Sequence, residues 1–263
     1  MLLQLTPASL ATAKGRRSYQ EDRFFTSGMP QGLCFGVFDG HGGCNCAHRA
    51  SETFPGLFVD ELGEPGATPQ DAFLKAFEKL HNATKDMHEG TTASVVFIPL
   101  SADMVHVAVL GDSPVIVKRA DGSIWIAPEH NVRTNNAEAE AAMARGGKVI
   151  GGYLVAHWDG PGLQIARALG DKVLDRVLSR VPEISAQALG VGSFVLVCTD
   201  GALDPGHENT EAAAESVVEL IQSGGDAQAI VDRALGIPTG DNVSALLVRV
   251  ESAQNETRFA EPV

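Results

Sequence analysis

With 263 residues, 44% of them hydrophobic, the chain can bury a full core as one large domain. Its formal charge of -13, from 20 basic against 33 acidic residues, argues against a nucleic-acid or anionic-membrane partner and fits a protein that gathers acids around cations. No apolar run is long enough to span a bilayer, and the 4 cysteines (Cys34, Cys44, Cys46, Cys198) are too few for a disulfide framework, so a reducing compartment, cytoplasmic or nuclear, is expected.

The opening MLLQLTPASLATAKGRR places its basic residues after the apolar ones, the reverse of a secretory signal. Residues 1–13 are expected to be a poorly ordered segment or an edge strand. GRRSYQEDRFF follows; if extended, it points Glu21 and Asp22 to opposite sides, with Arg17 just upstream. FGVFDGHGG, Phe35 to Gly43, then sets Asp39 at the end of a run apolar on both faces, before a glycine-rich turn that lets backbone come close to a ligand. Taken alone, its Asp-Gly reads as a hairpin turn.

Helical periodicity appears in PQDAFLKAFEKLHNATKDM, with Pro69 at the start and Phe73, Phe77 and Leu80 on one face. Strand-like runs are predicted over 33–38, 93–98, 104–110, 115–118 and 123–127, joined by short turns such as RADGS. NNAEAEAAMARGG reads as a helix with asparagine caps and a glycine stop. TEAAAESVVELIQSGG and DAQAIVDRALG read as a helix pair between strands at 194–199 and 243–250. Strands grouped together and helices grouped apart indicate an α+β fold, helices covering antiparallel sheets. A single catalytic domain over 14–250 with a polar tail over 251–263 is expected.

The acid at a strand end recurs. MVHVAVLGDS ends at Asp112, SFVLVCTDGALD reaches Asp200 with Asp204 four residues on, and Asp241 in TGDNVSALLVRV stands just before an apolar run. If these ends converge, like charges repel and must be neutralised by cations or protons. An all-oxygen cluster favours hard ions, Mg²⁺ or Mn²⁺, over zinc. An arginine beside such a cluster suits an anionic substrate, because guanidinium grips phosphate with two parallel hydrogen bonds; the plainer role for Arg17 is a surface ion pair with Glu21 or Asp22.

RSYQED, VFDGHGG, GTTAS, VLGDS, LQIARALGD, CTDGALD and GDNVSALLV occur in an order and spacing that resembles the metal-dependent protein serine/threonine phosphatases of type 2C, from about residue 14 to 250. The resemblance implies a four-layer α-β-β-α sandwich, two central antiparallel sheets flanked by helices. It implies that Asp39 bridges two metal ions, that the Gly40 carbonyl ligates the second, and that Asp200 and Asp241 ligate the first, with Glu21 acting on the second mostly through water. By the same resemblance Arg17 clamps the phosphate, His41 is the general acid, and Asp112 and Asp204 with Asp200 can hold a third, weaker ion. Asp22 and Thr92 fall at supporting positions behind the ligands. The implied substrates are phosphoserine and phosphothreonine proteins, attacked by a water that two Mn²⁺ or Mg²⁺ ions share, and the expected state is a monomer acting away from nucleic acid and membrane.

Other readings weigh against particular residues. In HGGCNCAH, Cys44 and Cys46 would point to different faces of a helix, so zinc or copper ligation with His41 and His48 is not expected. His130 reads as a loop hydrogen-bonder rather than a catalyst, the RALGD segment as a turn and strand packing, and Trp158, in an idiosyncratic stretch matching a flap beside the cleft, as a core cover ahead of a substrate contact. Pro114 departs from the family's usual Gly-Asp-Ser-Arg, which puts the third ion's surroundings in doubt. A catalytically silent binding relative, or a hydrolase of small phosphorylated metabolites, are the alternatives; the retained acids speak against the first.

Overall fold

A computed structural model of the chain describes residues 3–237 and 240–253. Its centre is a pair of antiparallel sheets. One runs in the order Glu183–Ala188, Met104–Leu110, Ala93–Pro99, Gly32–Phe38, Arg23–Met29. The other sets Val243–Ser252 beside Phe194–Cys198, then Val115–Lys118 and Ile124–Ile126. On its far side Val243–Ser252 takes both Leu3–Leu5 and Ser9–Ala13.

Each inner strand is buried on both faces, which is why these runs read as nearly continuous apolar sequence. Side chains alternate between two cores as the two-residue period requires. Phe35 and Val37 meet Val195, Val197, Leu246 and Val248 between the sheets. Cys34 and Phe38 face outward to α1 (Asn45–Leu62) and α2 (Pro69–Thr84). There the Phe58 ring lies tilted against Phe73, with ring centroids 4.6 Å apart, and against Phe97 at 5.3 Å.

A smaller helix, α3 (Asn136–Ala144), anchors a satellite core around Leu154, Ile165 and Leu174. After the short α4 (Asp200–Leu203), helices α5 (Thr210–Gln222) and α6 (Ala227–Gly236) cover the outer face of the second sheet through Val217, Ile221 and Ile230. The layers are therefore helix, sheet, sheet, helix, as expected.

Local signals explain the helix bounds. Thr68 accepts from the Asp71 N–H, and the Asp71 carboxylate accepts from the Thr68 N–H, a capping box directly ahead of Pro69. The Asn135 side chain caps α3 and Asn209 caps α5. Helix α1 enters the sequence-based expectations only as the condition under which Cys44 and Cys46 diverge: Pro55 lies inside its 18 residues, with Gly56 next to it, a pair that ordinarily breaks a helix. The last strand continues to Ser252, two residues into the polar tail expected from residue 251; residues 254–263 lie outside the described residues.

Candidate active site

Antiparallel pairing brings one end of several strands to a common cleft. Asp39 directly follows Gly32–Phe38, Asp112 lies just beyond Met104–Leu110, Asp200 follows Phe194–Cys198, and Asp241 precedes Val243–Ser252. All four line one cleft with Arg17 and His41. Asp39 is fixed through its backbone: its N–H donates to Thr92 Oγ1 at 3.1 Å, and its carbonyl accepts from the Thr92 N–H at 2.9 Å and the Thr91 hydroxyl at 3.0 Å. Thr92 Oγ1 lies 2.7 Å from Ser113 Oγ, which ties this strand end to the Asp112 turn. Gly40 must be glycine, since a Cβ there would stand 2.6 Å from the Glu21 carbonyl oxygen.

The electrostatics are those of crowded acids. Burial first, then the charges of Asp22, Asp200, Asp241 and Asp112, holds the Asp39 carboxyl well above its ordinary pKa. Burial likewise pushes Asp22 up to about 7, despite hydrogen bonds from the Ser244 and Thr199 hydroxyls, and pushes Asp112 up to about 6. Asp241 is raised by burial and by Asp200, with Arg17 opposing. Two buried carboxylate oxygens, Asp22 Oδ1 and Asp200 Oδ1, find no hydrogen-bond partner among the described residues. Oxygen-only donors, mutual repulsion and orphaned oxygens together fit hard divalent cations.

Around them, Arg17 donates through Nε to the Gly240 carbonyl at 2.7 Å and through NH2 to Asp241 Oδ2 at 3.0 Å, with its side chain half exposed at the cleft. Glu21 is buried and accepts the Gly43 N–H at 2.7 Å. Its neighbour Asp22 points instead to Thr199 and Ser244. The pair thus face different groups, though they precede the strand Arg23–Met29 and do not belong to it.

Comparison with known proteins decides the family. The family model described as protein phosphatase 2C matches residues 12–235. The chain belongs to the protein phosphatase 2C family. It is therefore a protein serine/threonine phosphatase by class. Among curated relatives, a probable protein phosphatase 2C 59 of rice is 30% identical over 93% of this chain and 76% of its own length. A probable protein phosphatase 2C 69 of Arabidopsis thaliana is 30% identical over 91% and 68%. Among solved structures, a Caenorhabditis elegans sex-determining protein matches with TM-score 0.77 and 25% identity, over 92% of this chain and 64% of that one. The catalytic domain of PstP, solved in complex with 2 manganese ions, shares the fold with TM-score 0.60 and 18% identity, over 95% and 100%.

Within this 2C phosphatase the third-ion surroundings differ from expectation. The Asp204 carboxylate turns to the start of α5, accepting the Asn209 N–H at 2.8 Å. His207, which sequence reasoning passed over, enters the cluster: its Nε2 lies 3.4 Å from Asp200 Oδ2, and its Nδ1 lies 3.1 Å from Glu129 Oε2. Asp112, Asp200 and His207 can converge on one ion. No local signal marks His207, because Asp112 and Glu129 are distant in sequence. Pro114 keeps its carbonyl in play, accepting the Cys198 N–H at 3.0 Å, while Asn131 Nδ2 donates to Asp112 at 2.9 Å.

His130 behaves as expected, accepting the Gly111 N–H at Nδ1. Residues Leu169 and Gly170 of RALGD do pair as a strand, with Thr91 and Gly90, but Asp171 has a further partner: its Oδ2 lies 2.8 Å from His41 Nε2. Trp158 is a correction. It is 79% exposed and covers no core; the satellite core is filled by Leu154 of the flap, Ile165 beyond it, and Ala139 and Ala142 of α3. The flap itself pairs Lys148–Ile150, Tyr153–Val155 and Gly162–Leu163, and Leu163, Gln164 and Ile165 line the cleft. Cys44 precedes α1, Cys46 is buried, and none of the cysteines forms a disulfide.

Proposed function

We propose that this phosphatase acts on phosphoserine and phosphothreonine in proteins, using two divalent ions, Mn²⁺ or Mg²⁺. Asp39, the Gly40 carbonyl, Asp200 and Asp241 would hold them, with Glu21 acting on the second through water. The observation that carries this reading is the set of mutually repelling carboxylates, two with orphaned buried oxygens, at one end of the paired sheets. The manganese pair of the PstP relative supports the same count here. Bound ions would supply a water acidic enough to ionise near neutral pH.

The chain's own groups do the rest. Arg17, held at the cleft by Gly240 and Asp241, can turn its fork of N–H donors to two phosphate oxygens and spread the charge that phosphoryl transfer develops there. A serine alkoxide leaves poorly, so His41 donates a proton to it. Asp22 and Thr92 act from behind, Asp22 by adding negative charge behind Asp39 that favours cations at the cluster and Thr92 by clamping the Asp39 backbone. A third, weaker ion would meet Asp112 and Asp200, with His207 in the place where Asp204 was expected.

The test is phosphate release from phosphoserine and phosphothreonine peptides after exhaustive chelation, then across a metal series. Loss on chelation and return with Mn²⁺ or Mg²⁺ is the expected result. Full activity in the chelated protein would overturn the reading.

A further inference from the structure

His41 does not stand alone. A three-strand ribbon aligns Gly40–His41, Gly90–Thr91 and Leu169–Gly170, so that His41 sits opposite Gly90, and Gly90 opposite Gly170. Asp171 follows immediately. Its backbone is left-handed, with φ 49°, an unusual conformation for a residue bearing a side chain, and its N–H donates to the Glu89 carbonyl at 3.1 Å. That conformation turns its carboxylate under the imidazole: Oδ2 lies 2.8 Å from His41 Nε2. The Asp171 side chain is 8% exposed against 26% for His41, so the acid is the inner partner and the ring the one at the cleft.

Gly90 makes room for this pair. A Cβ at Gly90 would fall 2.0 Å from Asp171 Oδ2 and 2.2 Å from His41 Nε2. Both clashes are with side chains, so the glycine keeps open the contact itself and not some backbone approach.

We propose that Asp171 is a positioning residue for His41, fixing which ring nitrogen faces the substrate; this rests on the reading of His41 as proton donor. A carboxylate accepts only, so Nε2 must carry a hydrogen and Nδ1 is left for the leaving group. No described residue engages Nδ1. As the P–O bond to serine breaks, its electron pair goes to the serine oxygen, which takes the proton from Nδ1. The N–H electron pair stays on Nδ1, and the neutral imidazole keeps its remaining proton on Nε2, still donated to Asp171. An amide at position 171 can instead donate to Nε2, which would leave Nδ1–H as the ring's only proton, one that could depart only by forming an imidazolate.

The experiment compares a phosphoserine peptide with an aryl phosphate whose leaving group departs without a proton, both at saturating Mn²⁺. Asp171→Asn is expected to lower kcat on the peptide about tenfold or more while changing the aryl phosphate rate by less than about threefold, and to add little in a His41→Ala background. Gly90→Ala, which parts the two side chains while leaving both in place, should give the same selective loss and guards against a folding failure in the first variant. Equal losses on both substrates, or a full additional loss beside His41→Ala, would overturn the proposal. If His41→Ala itself shows no preference between substrates, the proton-donor reading falls, and this inference with it. If His41→Ala is selective and Asp171→Asn and Gly90→Ala are not, the inference alone falls.

Discussion

His207 Nε2 stands 3.3 Å from Oδ2 of Asp112, presented by a loop residue whose own backbone is left-handed, with φ 51°. Burial pulls this imidazole down, but Asp200, Glu129 and Asp112 outweigh it and push its pKa up to about 10. A cation raised in this way stabilises the native state fully below the ordinary value of 6.5 and loses its contribution as pH climbs towards 10. In metal-free protein, His207→Gln should therefore lower the melting temperature at pH 6, and the gap from the parent should close between about pH 7 and 10. A gap that stays constant over that range would show that the imidazolium is not the source.

The acids add a dependence of the same sign, which divalent cations should remove. Asp22 and Asp112 bind protons more tightly folded than unfolded, at about 7 and about 6 against an ordinary 3.8. The native state thus holds more protons, and metal-free stability should fall as pH rises from about 4 to 7. Thermal melts with excess Mn²⁺ should flatten that slope, because the ions would replace the protons. An equal slope with and without metal would contradict the cluster's role.

Asp39→Asn separates function from stability. Its kcat on a phosphopeptide should fall about a thousandfold, the equivalent of ~4 kcal/mol of lost transition-state stabilisation. Without metal, however, the variant should melt higher than the parent, since the carboxylate it removes is held against burial and the charges of Asp22 and Asp200. Calorimetric titration with Mn²⁺ supplies the third readout, a weakened or absent binding heat.

Arg17→Lys should raise KM and lower kcat on phosphopeptides by about tenfold each, because a point charge cannot reproduce two parallel N–H bonds to one phosphate. The substitution should leave the melting temperature nearly unchanged, as the side chain is half exposed and its pair with Asp241 lies at the surface.

Two aromatic residues make a contrast in stability. Phe58, fully buried between Phe73 and Phe97, should cost about 3–5 kcal/mol when changed to Ala. Trp158→Ala should stay within about 0.5 kcal/mol of the parent, because the side chain lies largely in solvent. Denaturant unfolding of both variants checks the pair.

The strands that carry Asp39, Asp112, Asp200 and Asp241 were legible because burial on both faces writes a continuous apolar run, and an acid just beyond such a run stands out. Helices α2, α3, α5 and α6 were legible through caps and periodicity. Helix α1 was hidden by Pro55, whose missing N–H matters less once Phe54 and Phe58 are buried against the sheet. His207 and Asp171 were hidden for a different reason. Each acts through a partner far along the chain, 130 residues away for His41 and Asp171, and through a left-handed backbone that has no marker in residue type. Trp158 was misread because a large aromatic is ordinarily core, and exposure is a property of what the fold has already filled.

The carboxylates ride on the inner sheets, and the spacing between those sheets is set by Phe35, Val37, Val195, Val197, Leu246 and Val248. The outer helices pack mainly on the opposite faces. A designer could therefore redecorate the outer shell, or drift could rewrite it, with little effect on how far apart the acids stand. One methylene added between the sheets would act like a shim under a caliper, moving every jaw at once.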